Sequence, residues 1–350
     1  MKTLYSKNLR IYLLGVFSLL PLLLTSCFEQ EPQYVNTYQG NLDALWRIID
    51  ERYCYLDYKN IDWKAIKVDY DARLSKVKNE LELFDLMASM LAELKDGHVN
   101  LISDFDVSRY HDWYSKYPAN FNAGIIFGPD SKYLGPTYRR AGALRYGTLY
   151  DGTVGYIYYG DFTDAFTDAN MRRIFDTFRN CTSLIIDVRN NGGGSILYSE
   201  QLASYFFPEE RLTGYLRHKT GRGHSDFSDY IRVKTKAHSF LRWNNGPVAL
   251  LCNRMSYSAT NDFINRMSTL DNVITVGDTS GGGGGIPLSS ELPNGWSLRF
   301  SASPMYDIDK RDTEFGIEPD FKQDMNSADE KNDAIIERAI IELEKKRRGF

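Results

Sequence analysis

Between Asn253 and Asp262 the chain reads Asn-Arg-Met-Ser-Tyr-Ser-Ala-Thr-Asn-Asp. The apolar run Val248–Leu251 before it is of strand type, and Phe263, Ile264 and Met267 after it recur at helical spacing. Small hydroxyl residues therefore stand where a strand hands over to a helix. A serine there has two possible uses. It can cap the helix with its side chain, or its hydroxyl can be presented beside N–H groups that lack intrahelical acceptors and could bind a developing oxyanion. A second strand-to-helix turn has a complementary composition. Ser183–Val188 is a buried-type strand, Arg189-Asn190-Asn191-Gly192-Gly193-Gly194 follows, and Ile196–Phe207 resumes as a helix. The glycines allow positive φ and close backbone approach to a ligand. A phosphate loop is the competing use, but there is no Gly-Lys-Ser/Thr, and the spacing is not GxGxxG. In a parallel sheet two such turns can lie side by side at the strands' carboxyl ends. A serine beside a donor-rich glycine turn suits acyl transfer.

His98 follows Lys95-Asp96-Gly97, where a helical segment ends and an alternating one begins. It is read either as a structural residue of that edge or as a base. His111, His218, His224 and His238 lie in polar contexts without metal-ligand spacing.

The elements that must position these groups fall in sequence order. Residues 40–100 show three helical faces: Leu42/Leu45/Ile49/Tyr53, Trp63/Ile66/Tyr70/Leu74/Val77 and Leu83/Met87/Met90/Leu91/Leu94. They are expected to form an N-terminal helical domain. Residues 101–150, rich in turn signals, read as connecting strands and loops, a tight length for an inserted peptide-binding module. Residues 151–325 read as an α/β core, with residues 208–245 as strands or a cover over the cleft. The five glycines Gly281–Gly285 are expected to form a flexible loop. Ser327-Ala328-Asp329-Glu330 resembles a capping box, so residues 326–350 are expected to hold a last helix.

The first residues combine Lys2, Lys7 and Arg10 with an apolar stretch from Ile11 to Leu24, too short to span a bilayer comfortably. Leu24-Thr25-Ser26-Cys27 resembles a bacterial lipobox. The resemblance implies removal of residues 1–26 as a signal peptide and lipid on Cys27, with residues 27–39 as a polar tether. The remainder would be three charges more negative than the −4 of the whole chain. With no basic stripe, that argues against a nucleic-acid partner. Cys54, Cys181 and Cys252 are too widely spaced for a disulfide framework; Cys181 and Cys252, beside apolar strands, read as buried thiols. The 24 tyrosines fit either strand packing or an aromatic-lined cleft.

Asp187–Gly194, Ser256-Tyr257-Ser258-Ala259-Thr260-Asn261 and Gly316-Ile317-Glu318-Pro319-Asp320 occur in that order. Together they resemble the C-terminal processing (tail-specific) and tricorn-core serine peptidases over roughly 150–325, with His98 as an upstream element. The resemblance implies a crotonase-like (ClpP/crotonase) β/α core and no cofactor. It makes Ser258 the nucleophile, with oxyanion donors from Gly192, Gly193, Gly194 and the N–H of Ala259. The processing branch takes its base from a lysine about 25 residues beyond the serine. Here that position falls in the glycine run, and Lys310 is the first lysine downstream. The tricorn-like branch implies His98 as base and Glu314 as the acid that orients it, with Asp312 as the alternative. Gly97 stands where that branch has a serine. The implied protein is a lipid-anchored endopeptidase of the bacterial envelope acting on peptides or unfolded chains. A non-catalytic peptide- or ligand-binding role on the same fold is the alternative.

Overall fold

The segments Ser183–Asp187, Val248–Cys252 and Val273–Gly277 are buried at every position. Such strands are accommodated in the middle of a parallel sheet covered by helices on both faces. The computed structural model describes residues 33–326 and 328–349. Cys27, the apolar stretch before it and residues 28–32 of the tether lie outside the described residues. No helix among the described residues is long and apolar enough to cross a membrane.

In chain order, the helices α1 (Tyr38–Arg52), α2 (Trp63–Leu74) and α3 (Glu80–Ala92) come first. Thr37, Asp62 and Asn79 cap them, accepting from the N–H groups of Gly40, Ala65 and Glu82. There follow β1 (Asn100–Ile102), α4 (Asp112–Ser115), α5 (Ala123–Phe127), β2 (Arg139–Ala141) and β3 (Leu144–Leu149). Next are β4 (Val154–Tyr158), α6 (Asp168–Thr177), β5 (Ser183–Asp187), α7 (Ile196–Ser204), β6 (Arg211–Leu216) and β7 (Ile231–Thr235). The chain closes with β8 (Val248–Cys252), α8 (Ala259–Met267), β9 (Val273–Gly277), β10 (Gly285–Glu291), β11 (Ser297–Tyr306), β12 (Phe321–Lys322) and α9 (Ala334–Arg347).

The main sheet has the order β12-β9-β8-β5-β4-β3-β2. It is parallel from β12 to β4 and antiparallel at the β4–β3–β2 edge. One face packs on Met171, Ile174, Leu202, Phe263 and Ile264 from α6, α7 and α8. The other packs on Ile335, Ile336, Ala339 and Leu343 of α9. Each of the larger of these fully buried side chains contributes about 1.5–3 kcal/mol, and the two layers cover both faces of the sheet. A second, antiparallel sheet has the order β1-β11-β6-β7, with β10 also paired to β11. The 208–245 excursion therefore contains the hairpin-like pair β6 and β7.

The helical N-terminal region lies within the compact unit Asn36–Phe350. Its buried faces extend into the second sheet: Cys54 N–H donates to Ser301 O at 3.0 Å, and Asn41 Oδ1 accepts from Asn294 N–H at 2.9 Å. The last helix starts at Ala334, where the Asp333 carboxylate accepts from the N–H groups of Ile335 and Ile336. Asp333 is the stronger start signal because its carboxylate is also fixed by the fully buried Arg189 at 2.9 Å. Ser327 lies outside the described residues. The glycine run is no flexible loop: Gly281–Gly285 are all buried and backbone-bonded, as set out below.

Candidate active site

β5 and β8 are parallel neighbours, with Leu184 opposite Val248 and Asp187 opposite Leu251. The turns that follow them are therefore adjacent. Tyr257 N–H donates to Asn191 O at 3.1 Å and ties one turn to the other. Of the three aliphatic hydroxyls in the second turn, two are structural. Ser256 Oγ donates to Val188 O at 2.9 Å, and Thr260 Oγ1 donates to Asn191 Oδ1 at 2.7 Å. Ser258 is different. It occupies the N-cap position of α8 but makes no side-chain cap. Its backbone has φ 59° and ψ −119°, a conformation that costs a non-glycine residue roughly 1–3 kcal/mol. Its N–H donates to Gly282 O at 2.8 Å, which holds the strained turn. The hydroxyl is directed elsewhere, with Ser258 Oγ 2.9 Å from His98 Nε2.

In the glycine turn, Gly193 (φ 99°) packs directly against the serine. A Cβ there would stand 2.6 Å from Tyr257 O and 2.8 Å from Ser258 Cβ. Its own N–H is committed to Asn191 Oδ1 at 3.0 Å. The N–H groups of Gly192, Gly194 and Ala259 have no acceptor among the described residues. Ala259 opens α8, so the helix cannot provide one.

His98 is buried, and burial drives its pKa down to about 4; Asp96 opposes that, while Arg299 and Lys59 add to it. At neutral pH the imidazole is therefore uncharged and able to take a proton. Nδ1 has no hydrogen-bond partner among the described residues, and the backbone of Gly285 favours the charged ring. The structure does not bring Glu314 to the imidazole. Glu314 Oε1 accepts from Lys59 Nζ at 2.7 Å, and burial, then Asp96, push its carboxyl up to about 8 against the pull of Lys59. Asp312 is engaged by Glu314 N–H at 2.8 Å and is pushed up to about 7, chiefly by burial. The carboxylate nearest His98 in charge and in chain is Asp96. Its Oδ1 accepts from His98 N–H at 2.8 Å, and its Oδ2 accepts from Tyr53 OH and Ser301 Oγ, each at 2.9 Å. Burial alone would raise Asp96, but Lys59, His98 and these donors outweigh it and hold it below its ordinary value.

Sequence reasoning gave no role to Asp96, Lys59, Tyr53 or Ser301, which come from three separated segments. The Asp-x-His spacing was the available signal for Asp96; nothing local marks Lys59. Lys310, the first lysine beyond the serine, lies over the rings of Tyr215 and Tyr230.

The glycine run forms the floor. Gly281 N–H donates to Ser256 O at 2.8 Å, and Gly283 N–H donates to Glu314 O at 3.0 Å. A Cβ on Gly283 (φ 74°) would overlap the Tyr257 ring. That ring lies 4.9 Å from His98 and stacks on Trp113 at 4.1 Å. Gly97 is explained by the same aromatic pair, since a Cβ there would meet Trp113 Nε1 at 2.6 Å and Tyr257 Oη at 2.9 Å. Cys54, Cys181 and Cys252 are free and buried. Among the described residues no group of three or more His, Cys, Asp or Glu side chains is arranged to hold a metal ion.

The chain is similar to known proteins. Residues 153–323 match Peptidase family S41, and residues 34–92 match the Tricorn protease C1 domain. A crystal structure of a candidate peptidase from Parabacteroides merdae ATCC 43184 is 48% identical, with TM-score 0.82, covering 88% of this chain and 96% of that one. Mature CPAF complexed with lactacystin has TM-score 0.65 at 13% identity, over 89% of this chain and 98% of that one. The tricorn protease has TM-score 0.55 at 16% identity, over 89% of this chain and 37% of that one. The last two likenesses are of fold alone. The fold and the match define a serine-type peptidase of mixed α/β architecture. The chain belongs to peptidase family S41.

Proposed function

We propose that this S41 peptidase is a lipid-anchored endopeptidase of the bacterial cell envelope that cleaves peptides or unfolded chains through Ser258 and His98. The observation that carries the reading is the 2.9 Å approach of His98 Nε2 to a strained serine hydroxyl that caps nothing. His98 takes the Ser258 proton as Oγ attacks the scissile carbonyl, and returns it to the leaving amine. The carbonyl oxygen, now an anion, lies against Ala259 N–H and the glycine turn, where Gly192 and Gly194 offer uncommitted donors. Water then repeats the sequence on the acyl-enzyme. Asp96 supplies the negative charge that the imidazolium meets, while Glu314 acts through Lys59 rather than by touching the ring. Lipid on Cys27 would tether the enzyme to the outer membrane or a periplasmic face.

The test is covalent labelling by a fluorophosphonate probe, followed by a peptide-library screen. Labelling and hydrolysis that disappear in Ser258→Ala are expected. A folded wild-type protein that neither labels nor cleaves would overturn the reading and leave peptide binding as the role of the fold. For the anchor, Cys27→Ala should move the protein from the membrane fraction to the soluble fraction; continued membrane association would mean an uncleaved anchor instead.

A further inference from the structure

Behind His98 lies a buried charge cluster from segments far apart in the chain. Lys59 follows α1, Asp96 precedes β1, and Asp312 and Glu314 follow β11. Lys59 Nζ is 2.7 Å from Glu314 Oε1 and 3.7 Å from Asp96 Oδ2, and its side chain is only 5% exposed. It also reaches the carbonyl oxygens of Leu94 and Lys95, at 3.3 and 3.4 Å. The rings of Tyr53, Tyr55 and Phe315 surround it at 5.8, 5.5 and 5.9 Å. Burying an ammonium this fully is costly unless it is paired and hydrogen-bonded. One that served packing alone would be replaceable by methionine with little loss.

We propose that Lys59 is a positioning residue for the reaction: its ammonium binds Asp96 and Glu314 into one charge-balanced unit and thereby sets how much negative charge faces His98. The inference rests on the Ser258–His98 reading. Two carboxylates and one ammonium cannot all be balanced in a buried site, so one carboxyl retains a proton. Asp96, with three hydrogen-bond donors on it, keeps its charge; Glu314, with Oε2 unpartnered, holds the proton. The charged groups facing His98 are then Asp96 from its own segment, Lys59 from the segment after α1 and Arg299 from β11, with the Tyr257 ring packed alongside. Lys59 and Asp96 act on the imidazole with opposite sign, and this makes the cluster testable.

The experiment is the pH dependence of fluorophosphonate labelling of the full-length protein in detergent, whose acid limb reports His98 without a known substrate. Lys59→Met removes a positive charge that opposes imidazole protonation. Its limb should move up by about one pH unit, the shift expected from a charge at this range, so that labelling slows by up to about tenfold at pH values on the limb while protonation does not slow it at neutral pH. Lys59→Arg keeps the charge and should leave the limb in place while slowing labelling severalfold. Asp96→Asn should move the limb the other way, to lower pH. Limbs of folded Lys59→Met and Asp96→Asn that coincide with the wild-type limb would overturn the proposal. If Lys59→Met does not fold, the Arg and Asn variants still decide: a limb displaced in Lys59→Arg, or unmoved in Asp96→Asn, refutes it. Absence of labelling in the wild type would instead refute the underlying Ser258 reading.

Discussion

The glycine run offers the sharpest test of how the nucleophile is supported, through Gly282→Ala. Gly282 has φ 81°, and its carbonyl accepts from Ser258 N–H at 2.8 Å. A Cβ there would stand 2.7 Å from the carbonyl carbon of Glu314 and 2.8 Å from Gly316 N, and closer still to Glu314 O. All three are backbone atoms that no rotamer change can move. The left-handed conformation costs an alanine roughly 1–2 kcal/mol, and forcing two buried backbones apart adds roughly 1–3 kcal/mol. The expected destabilisation is therefore about 3 kcal/mol, which lowers Tm by roughly 4–5 °C in a unit of this size. Labelling of Ser258 should fall further than stability does, since the displaced strand is the one that holds the serine's N–H. Gly192→Ala is the control, because nothing lies within 4 Å of its Cβ and its φ is not positive. Its Tm should match the wild type. Thermal melts of both variants, with labelling well below Tm, measure the difference. Equal Tm values for Gly282→Ala and the wild type would refute the account of the run as rigid scaffold.

Three further outcomes are expected. His98 carries a folded-state pKa near 4 against about 6.5 unfolded. The unfolded chain then binds more protons between those values, so the stability this residue contributes is complete above pH 6.5 and is lost as pH falls toward 4, by about 3 kcal/mol in all. His98→Asn should flatten that part of the stability–pH curve, and its labelling should drop at least a hundredfold; an unchanged curve would contradict the burial assignment. Gly97→Ser should slow labelling because its Cβ meets Trp113 and Tyr257, and adding Trp113→Ala, which vacates the space, should recover much of the rate. Arg189→Met strands the buried carboxylates of Asp187 and Asp333, now 2.6 and 2.9 Å from the guanidinium. It should destabilise the fold by about 3–5 kcal/mol in urea unfolding, and a loss under 1 kcal/mol would mean that the two acids find other partners.

Local pattern was enough to place much of this protein. The apolar runs 184–186 and 248–252 read as interior strands of a parallel sheet, and two such strands side by side bring the turns after them together. The serine-bearing turn, the glycine turn and the family resemblance therefore followed from composition over a few residues. So did the buried, unpaired thiols. Glycine spacing did not reveal its own meaning. Five glycines in a row read as flexibility, but in the fold each missing Cβ is space taken by a neighbour, and that is a property of contacts between Gly282 and Glu314, not of the run itself. The side-chain direction of Ser258 was equally undetermined, because an N-cap serine and a presented hydroxyl have the same sequence. Its φ of 59° and the approach of His98, 160 residues earlier, decide between them. The acid cluster lay furthest beyond reach. Lys59, Asp96 and Glu314 become neighbours only when the N-terminal helices join the second sheet, and burial there, which no local pattern encodes, sets which carboxyl keeps its charge.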